Sequence, residues 1–173
     1  MSRLPVVAVA PLVALALNIA LWATAQVLSG YVAHRRPLDR LQVDRGLLRL
    51  RRFEDGGRWY ERRLRIGAWK DRLPEAGAFF EGGMSKRTLP ARSAGGVERF
   101  AAETRRAELA HWWSFWCLPL CLLWNDPLGV AVMVAYGVVV NLPLIAIQRS
   151  NRGRANRILE RRARRAGVLA APA

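Results

Sequence analysis

Apolar positions along this chain gather in three blocks, with arginine-rich stretches between them. Pro5 to Leu28 holds no charged residue, and only Asn18, Thr24 and Gln26 interrupt it as polar side chains. Leu128 to Gln148 is nearly as apolar, and a shorter run, Trp112 to Trp124, precedes it across Asn125-Asp126-Pro127. A hydrocarbon core takes about 20 helical residues to cross, so the first and third blocks are long enough. Trp112–Trp124 is too short alone; started from Leu109 it suffices marginally if it tilts or the bilayer thins, and a re-entrant segment is the other reading. The pattern predicts an all-α membrane protein with about three transmembrane helices. These are an N-terminal transmembrane helix over 1–28 and a transmembrane hairpin over 109–148. A basic interfacial cytoplasmic loop region, 29–108, and a basic C-terminal tail, 149–173, complete the chain. Arg3, the first apolar run and Ala23-Thr24-Ala25 also fit a cleaved signal peptide. The length of the run and the basic segment behind it favour a retained anchor.

Arg35-Arg36-Pro37 stops the first helix at the interface. Leu41 to Arg52 mixes leucine with arginine and fits a short strand or an interfacial helix, and Phe53-Glu54-Asp55-Gly56-Gly57 is turn chemistry. From Arg58 to Leu73, aromatic and aliphatic side chains recur among charges, as in a segment lying at the membrane interface. Residues 75–96 are glycine-rich and read as a loop over a site. Val97 to Ala110 is a predicted helix, with Val97, Phe100, Ala101, Thr104, Ala107 and Glu108 at three- and four-residue spacing. Arg154 to Arg165 reads as a basic helix, and Val168 to Ala173 as a frayed end.

The net charge of +15 invites a nucleic-acid reading, but its distribution argues for topology. Only Arg3 precedes the first apolar block; nearly all other arginines fall in 29–108 or after Ile147. Basic excess marks cytoplasmic segments. The expectation is a multi-pass cell-membrane protein with an outside N-terminus, its active site at the cytoplasmic face, membrane lipids as partners, and no nucleic acid. Cys117 and Cys121, four residues apart in an apolar run, read as small hydrophobes. No metal is expected: Glu103, Glu108 and His111 have only His34 as a further imidazole, a weak ligand set.

On a continuous helix Thr104, Glu108 and His111 share a face. Glu108, one turn earlier, is placed to accept a hydrogen bond from His111, fixing its tautomer and raising its basicity. Histidine titrates near neutrality and can take the proton of an alcohol attacking a thioester. The competing reading puts His111 in an interfacial belt with Trp112, Trp113 and Trp116. Asn141 and Gln148 share a face of the third block about 10 Å apart in depth, either as donors to a substrate oxygen or as glue between helices. Arg149, Arg152 and Arg154 have guanidinium forks suited to a diphosphate. Lipid phosphates and topology explain the same cluster.

Several of these residues, in order and spacing, resemble one family. They are Trp69-Lys70 with Leu73-Pro74, Glu103-Thr104 with Arg106-Ala107-Glu108-Leu109 and His111-Trp112, Asn141 with Pro143, and Gln148-Arg149 with Asn151-Arg152 and Arg154. The stretch 41–165 is similar to the glycosyl-4,4′-diaponeurosporenoate acyltransferases. That resemblance implies transfer of a fatty acyl group onto a sugar hydroxyl of a glycosylated carotenoid or similar glycolipid, with no bound cofactor. Acyl-CoA or another acyl thioester would be the co-substrate. It implies His111 as general base, Glu108 as its orienting carboxylate, and the arginines after Gln148 as a donor clamp. Trp69, Lys70, Glu103, Thr104, Asn141, Gln148, Arg149, Asn151 and Arg152 are the substrate-binding set it suggests. Ser150 departs from the family, which tends to an aromatic there, and this puts the acceptor in question. A membrane assembly or lipid-binding protein without catalysis is the alternative.

Overall fold

The structure, a computed structural model, describes residues 5–73 and 95–167. Every regular element among them is helical. The main helices are α1 (Pro11–His34), α2 (Arg58–Leu64), α3 (Ile66–Trp69), α4 (Gly96–Ser114) and α5 (Pro127–Arg165). Between α1 and α2 lie three 3-10 turns, Leu38–Leu41, Gly46–Leu48 and Arg52–Gly57. The stretch predicted as strand or interfacial helix, Leu41–Arg52, is therefore turns. The glycine-rich loop of 75–96 and the frayed end fall almost wholly outside the described residues.

The chain forms two compact units. The first comprises residues up to Arg35 with Leu109–Ile145, the second Arg36–Glu108 with the chain from Ala146 on. Helices α4 and α5 contribute to both.

In the first unit α1 packs on the stretch after α4. Trp22 is its anchor, edge-on to Phe115 (6.3 Å between centroids) and Tyr136 (5.5 Å), with Cys117, Cys121 and Met133 around it. The burial of both cysteines fits their reading as packing residues. Gly137 is required here, because a Cβ would fall 2.6 Å from the Trp22 ring. Polar groups close the far end: Asn18 and Asn125 exchange reciprocal amide bonds of 2.9 Å, and the Trp124 indole donates to Asn18 at 2.8 Å. Along its outside this unit is apolar and open, as at Leu12, Val27, Leu128 and Val139.

Among the described residues two helices, α1 and α5, are long and apolar enough to cross a membrane, where about three spans were expected. The difference lies in Phe115–Leu123, which winds as a 3-10 helix and not as the α-helical arm of a hairpin. Pro119 sits inside it and lacks the N–H that an α-turn would use. The tighter helix rises about 2.0 Å per residue against 1.5 Å. Leu109–Leu123 thus reaches about 27 Å with the same residues.

In the second unit α4 and the C-terminal part of α5 meet through Val97, Phe100, Ala101, Ala155, Ile158 and Leu159. The Arg52–Gly57 turn lies against α5 with almost no clearance. A Cβ on Gly153 would run into the Gly56 carbonyl and lie 2.7 Å from the Gly57 nitrogen. Asp55, Gly56 and Gly57 all adopt left-handed backbone (φ 49°, 55° and 88°) to make that approach, a conformation costly for a non-glycine residue such as Asp55.

Candidate functional site

Five of the predicted site residues fall in two polar clusters, Glu108, Arg149 and Arg152 in the second unit and His111 and Asn141 in the first. In the second unit the cluster is ionic. Arg149 grips Glu54 with two bonds, Nε to Oε1 at 2.6 Å and Nη2 to Oε2 at 2.8 Å, and gives Nη1 to Glu108 Oε1 at 2.6 Å. Its remaining donor capacity goes to the carbonyls of Leu47 and Arg49. Arg152 donates to the other Glu108 oxygen at 2.5 Å and to the Leu48 carbonyl, and its Nε lies 3.1 Å from Asp44 as an ion pair not angled for a hydrogen bond. Arg105 completes the chain through Asp44 at 2.6 Å. Glu54, Glu108 and Arg152 are fully buried.

Burial pushes the Glu54 carboxyl up, but bonds from Arg149, the Tyr60 hydroxyl and the Arg51 backbone N–H outweigh it and hold the group below its ordinary value of 4.5. For Tyr60, burial and the hydrogen bond to Glu54 both raise the phenol above its ordinary 10.0. Removing one member from such a network strands a buried charge, which costs about 3–5 kcal/mol. The arrangement ties three turns of the loop region to α4 and α5. The predicted donor-clamp arginines Arg149 and Arg152 are engaged within it, and Arg154 is exposed.

In the first unit the cluster is neutral and centres on Asn141, which is fully buried. Its Nδ2 donates to the Gly137 carbonyl at 3.0 Å, and this orients the amide. Its Oδ1 faces three groups: Gln26 Nε2 at 2.9 Å, the Ser114 hydroxyl at 3.0 Å and His111 Nδ1 at 3.1 Å. The Ser114 hydroxyl also lies 2.8 Å from the His111 carbonyl. An amide oxygen only accepts, so Nδ1 carries the proton and the basic lone pair of the neutral ring is on Nε2. His111 is half-buried. The structure brings Asn141 Oδ1 to Nδ1 of the imidazole, and Glu108, the expected orienting carboxylate, pairs with Arg149 and Arg152.

Elsewhere in the predicted set, Thr104 is buried and donates to the Ala101 carbonyl at 2.7 Å, and Glu103 pairs with Arg106 at 2.5 Å. The Trp69 indole donates to the Leu64 carbonyl at 2.7 Å, and Lys70 is half-buried beside it in the chain. Gln148 and Asn151 are buried, and the Asn151 amide nitrogen has no partner among the described residues. Ser150, at the departure from the family pattern, points its hydroxyl at Glu61 (3.3 Å). No group of three metal-ligating side chains occurs among the described residues. A polar cavity of about 390 Å³ in the second unit is lined by Asp44, Asp55, Arg58, Asn156, Arg157 and Glu160 among others, none from the predicted set.

Sequence reasoning missed Glu54, Tyr60, Asp44, Gln26 and Ser114. Gln26 carried the one readable signal, being one of three polar interruptions in the first apolar block. The acids of the loop look like any solvated acids in an arginine-rich stretch.

Among the described residues the fold is all-helical, with two apolar helices of spanning length and, in the first unit, a histidine hydrogen-bonded to a buried amide. The chain is a member of the glycosyl-4,4′-diaponeurosporenoate acyltransferase family, whose sequence model matches residues 44–161. Relatives with that name from Staphylococcus aureus strains USA300 and NCTC 8325 are 31% identical over 117 residues, covering 65% of this chain and 70% of theirs. The Newman strain's protein is 30% identical over 108 residues, 62% and 64% of the two chains. No solved structure matches.

Proposed function

We propose that this chain is a membrane O-acyltransferase that moves a fatty acyl group from an acyl thioester to a sugar hydroxyl of a glycosylated carotenoid or a similar glycolipid. The observation that carries the reading is the position of His111. It is the one histidine in the family-matched stretch 44–161, and its Nδ1 is committed to a neutral hydrogen bond. The Nε2 lone pair takes the proton from the acceptor hydroxyl as the oxygen attacks the thioester carbonyl. The tetrahedral oxyanion then collapses, the C–S bond breaks, and the imidazolium returns its proton to the departing thiolate. General-base assistance of this kind contributes about 10²–10⁴-fold.

Glu108, Arg149 and Arg152 shape the second unit in this reading, and Arg154 is the member of the cationic cluster left facing solvent for an anionic donor. Both α1 and α5 cross the bilayer, and the Leu109–Leu123 arm crosses with them. Residues 36–108 and 146–167 share one folded unit and so lie on one side of the membrane. The segment between them must then cross an even number of times. Arginine content assigns that side to the cytoplasm.

The test supplies membranes bearing the chain with palmitoyl-coenzyme A and glycosyl-4,4′-diaponeurosporenoate, and follows the ester by mass spectrometry. Wild type makes it; a His111→Ala variant that inserts normally does not. Full product from that variant overturns the assignment of His111.

A further inference from the structure

We propose that Asn141 is the positioning residue of the acyl transfer, holding His111 in the single tautomer and orientation that leaves Nε2 as the base. This deepens the preceding reading and rests on it. Four bonds define the arrangement, and each constrains the next. The Gly137 carbonyl takes Asn141 Nδ2 at 3.0 Å, so Oδ1 must face the other way. Gln26 from α1 donates to that oxygen at 2.9 Å and holds it from the side. Ser114, one turn beyond His111 on α4, approaches the same oxygen at 3.0 Å. His111 Nδ1 completes the set at 3.1 Å. Asn141 is buried, so water does not compete for the oxygen.

Burying this many amides and hydroxyls in an apolar unit is expensive unless each is bonded. A purely structural amide needs one partner on the adjacent helix. Gln26 alone would serve to join α1 to α5, yet the oxygen also takes an imidazole. The groups gathered at Oδ1, namely Gln26 of α1 and Ser114 of α4, are uncharged. Asn141 therefore orients the ring through a neutral acceptor at Nδ1. With Nδ1 bonded to the amide oxygen, the neutral ring presents its lone pair at Nε2, the form that can accept the hydroxyl proton. In acyl-transfer triads, loss of the group that sets the tautomer costs up to about 10⁴ in rate.

The experiment compares Asn141→Leu, Asn141→Asp and His111→Ala in the palmitoyl-coenzyme A assay, with insertion checked for each. Asn141→Leu is expected to lower kcat by about 10²-fold with KM within about twofold. Asn141→Asp keeps an acceptor but adds a charge, so the acid limb of the kcat/KM profile moves up by about one pH unit or more. A residue that only joins helices would move stability and leave that limb in place. Wild-type kcat in the leucine variant, or an unmoved acid limb in the aspartate variant, overturns the proposal; if the leucine variant does not accumulate, the aspartate limb decides. Loss of product in His111→Ala with wild-type behaviour at position 141 removes this inference alone. Full activity in His111→Ala removes the underlying assignment.

Discussion

At the scale of residues, the second unit depends on Glu54, a fully buried carboxylate that accepts four hydrogen bonds, two from Arg149 and one each from the Tyr60 hydroxyl and the Arg51 N–H. Its sign with pH follows from the direction of its shift. Burial raises the group and its hydrogen bonds lower it more, so the folded value lies below the ordinary 4.5. The stabilisation is thus fully present above about pH 4.5 and is lost as the pH falls through the folded value. Tyr60 behaves oppositely: its phenol is raised, so its contribution is intact below pH 10 and declines above it. Thermal unfolding of detergent-solubilised protein between pH 3 and 6 is expected to show wild type losing stability as the pH falls. Glu54→Gln should start lower by about 3–5 kcal/mol, with Arg149 left only Glu108, which it shares with Arg152, and be flatter over that range. Parallel pH curves for the two proteins would show that Glu54 does not carry the effect.

At the scale of elements, close approach decides more than propensity does. Glycine at 153 lets α5 touch the Gly56–Gly57 turn, and glycine at 137 lets Trp22 seat in the first unit. Gly153→Ala meets backbone, which cannot move aside, whereas Gly137→Ala meets a ring. Both are expected to destabilise, by about 1–3 kcal/mol for overpacking, with Gly153→Ala the worse. Unfolding curves with unchanged midpoints would contradict that packing. The helices themselves were readable in the chain. Val97–Ala110 announced α4 through its three- and four-residue spacing, although the helix starts at Gly96 and runs on to Ser114. The apolar blocks announced α1 and α5 by length. The 3-10 winding of Phe115–Leu123 was not readable from hydropathy, which registers apolar content but not rise per residue; Pro119 was the available sign. The partnership of His111 was also missed for a physical reason. Spacing on one helix can rank Glu108 as a neighbour, but it is blind to Asn141, thirty residues away on another helix and 3.1 Å away in space.

At the scale of the whole molecule, the arginine content has two physical roles that sequence alone could not separate. Some guanidinium groups are internal: Arg105, Arg149 and Arg152 are buried and paired with Asp44, Glu54 and Glu108. Others, such as Arg154, face outward, where the proposed topology would set them against anionic lipid. The proposed topology is testable with a membrane-impermeant thiol reagent on intact cells. Single cysteines replacing Arg62 and Arg154 should both be protected, while one replacing Asp126, at the turn before α5, should react. Opposite labelling of positions 62 and 154 would mean that the Leu109–Leu123 arm does not cross.

The central claim is that His111 is the base of an acyl transfer, and one comparison reaches it most directly. Purified wild type and His111→Ala are given palmitoyl-coenzyme A and glycosyl-4,4′-diaponeurosporenoate, and the rate of ester formation is measured for each. A drop of about 10²–10⁴-fold in kcat is expected for the variant, with the protein still folded and inserted. Equal rates would contradict it.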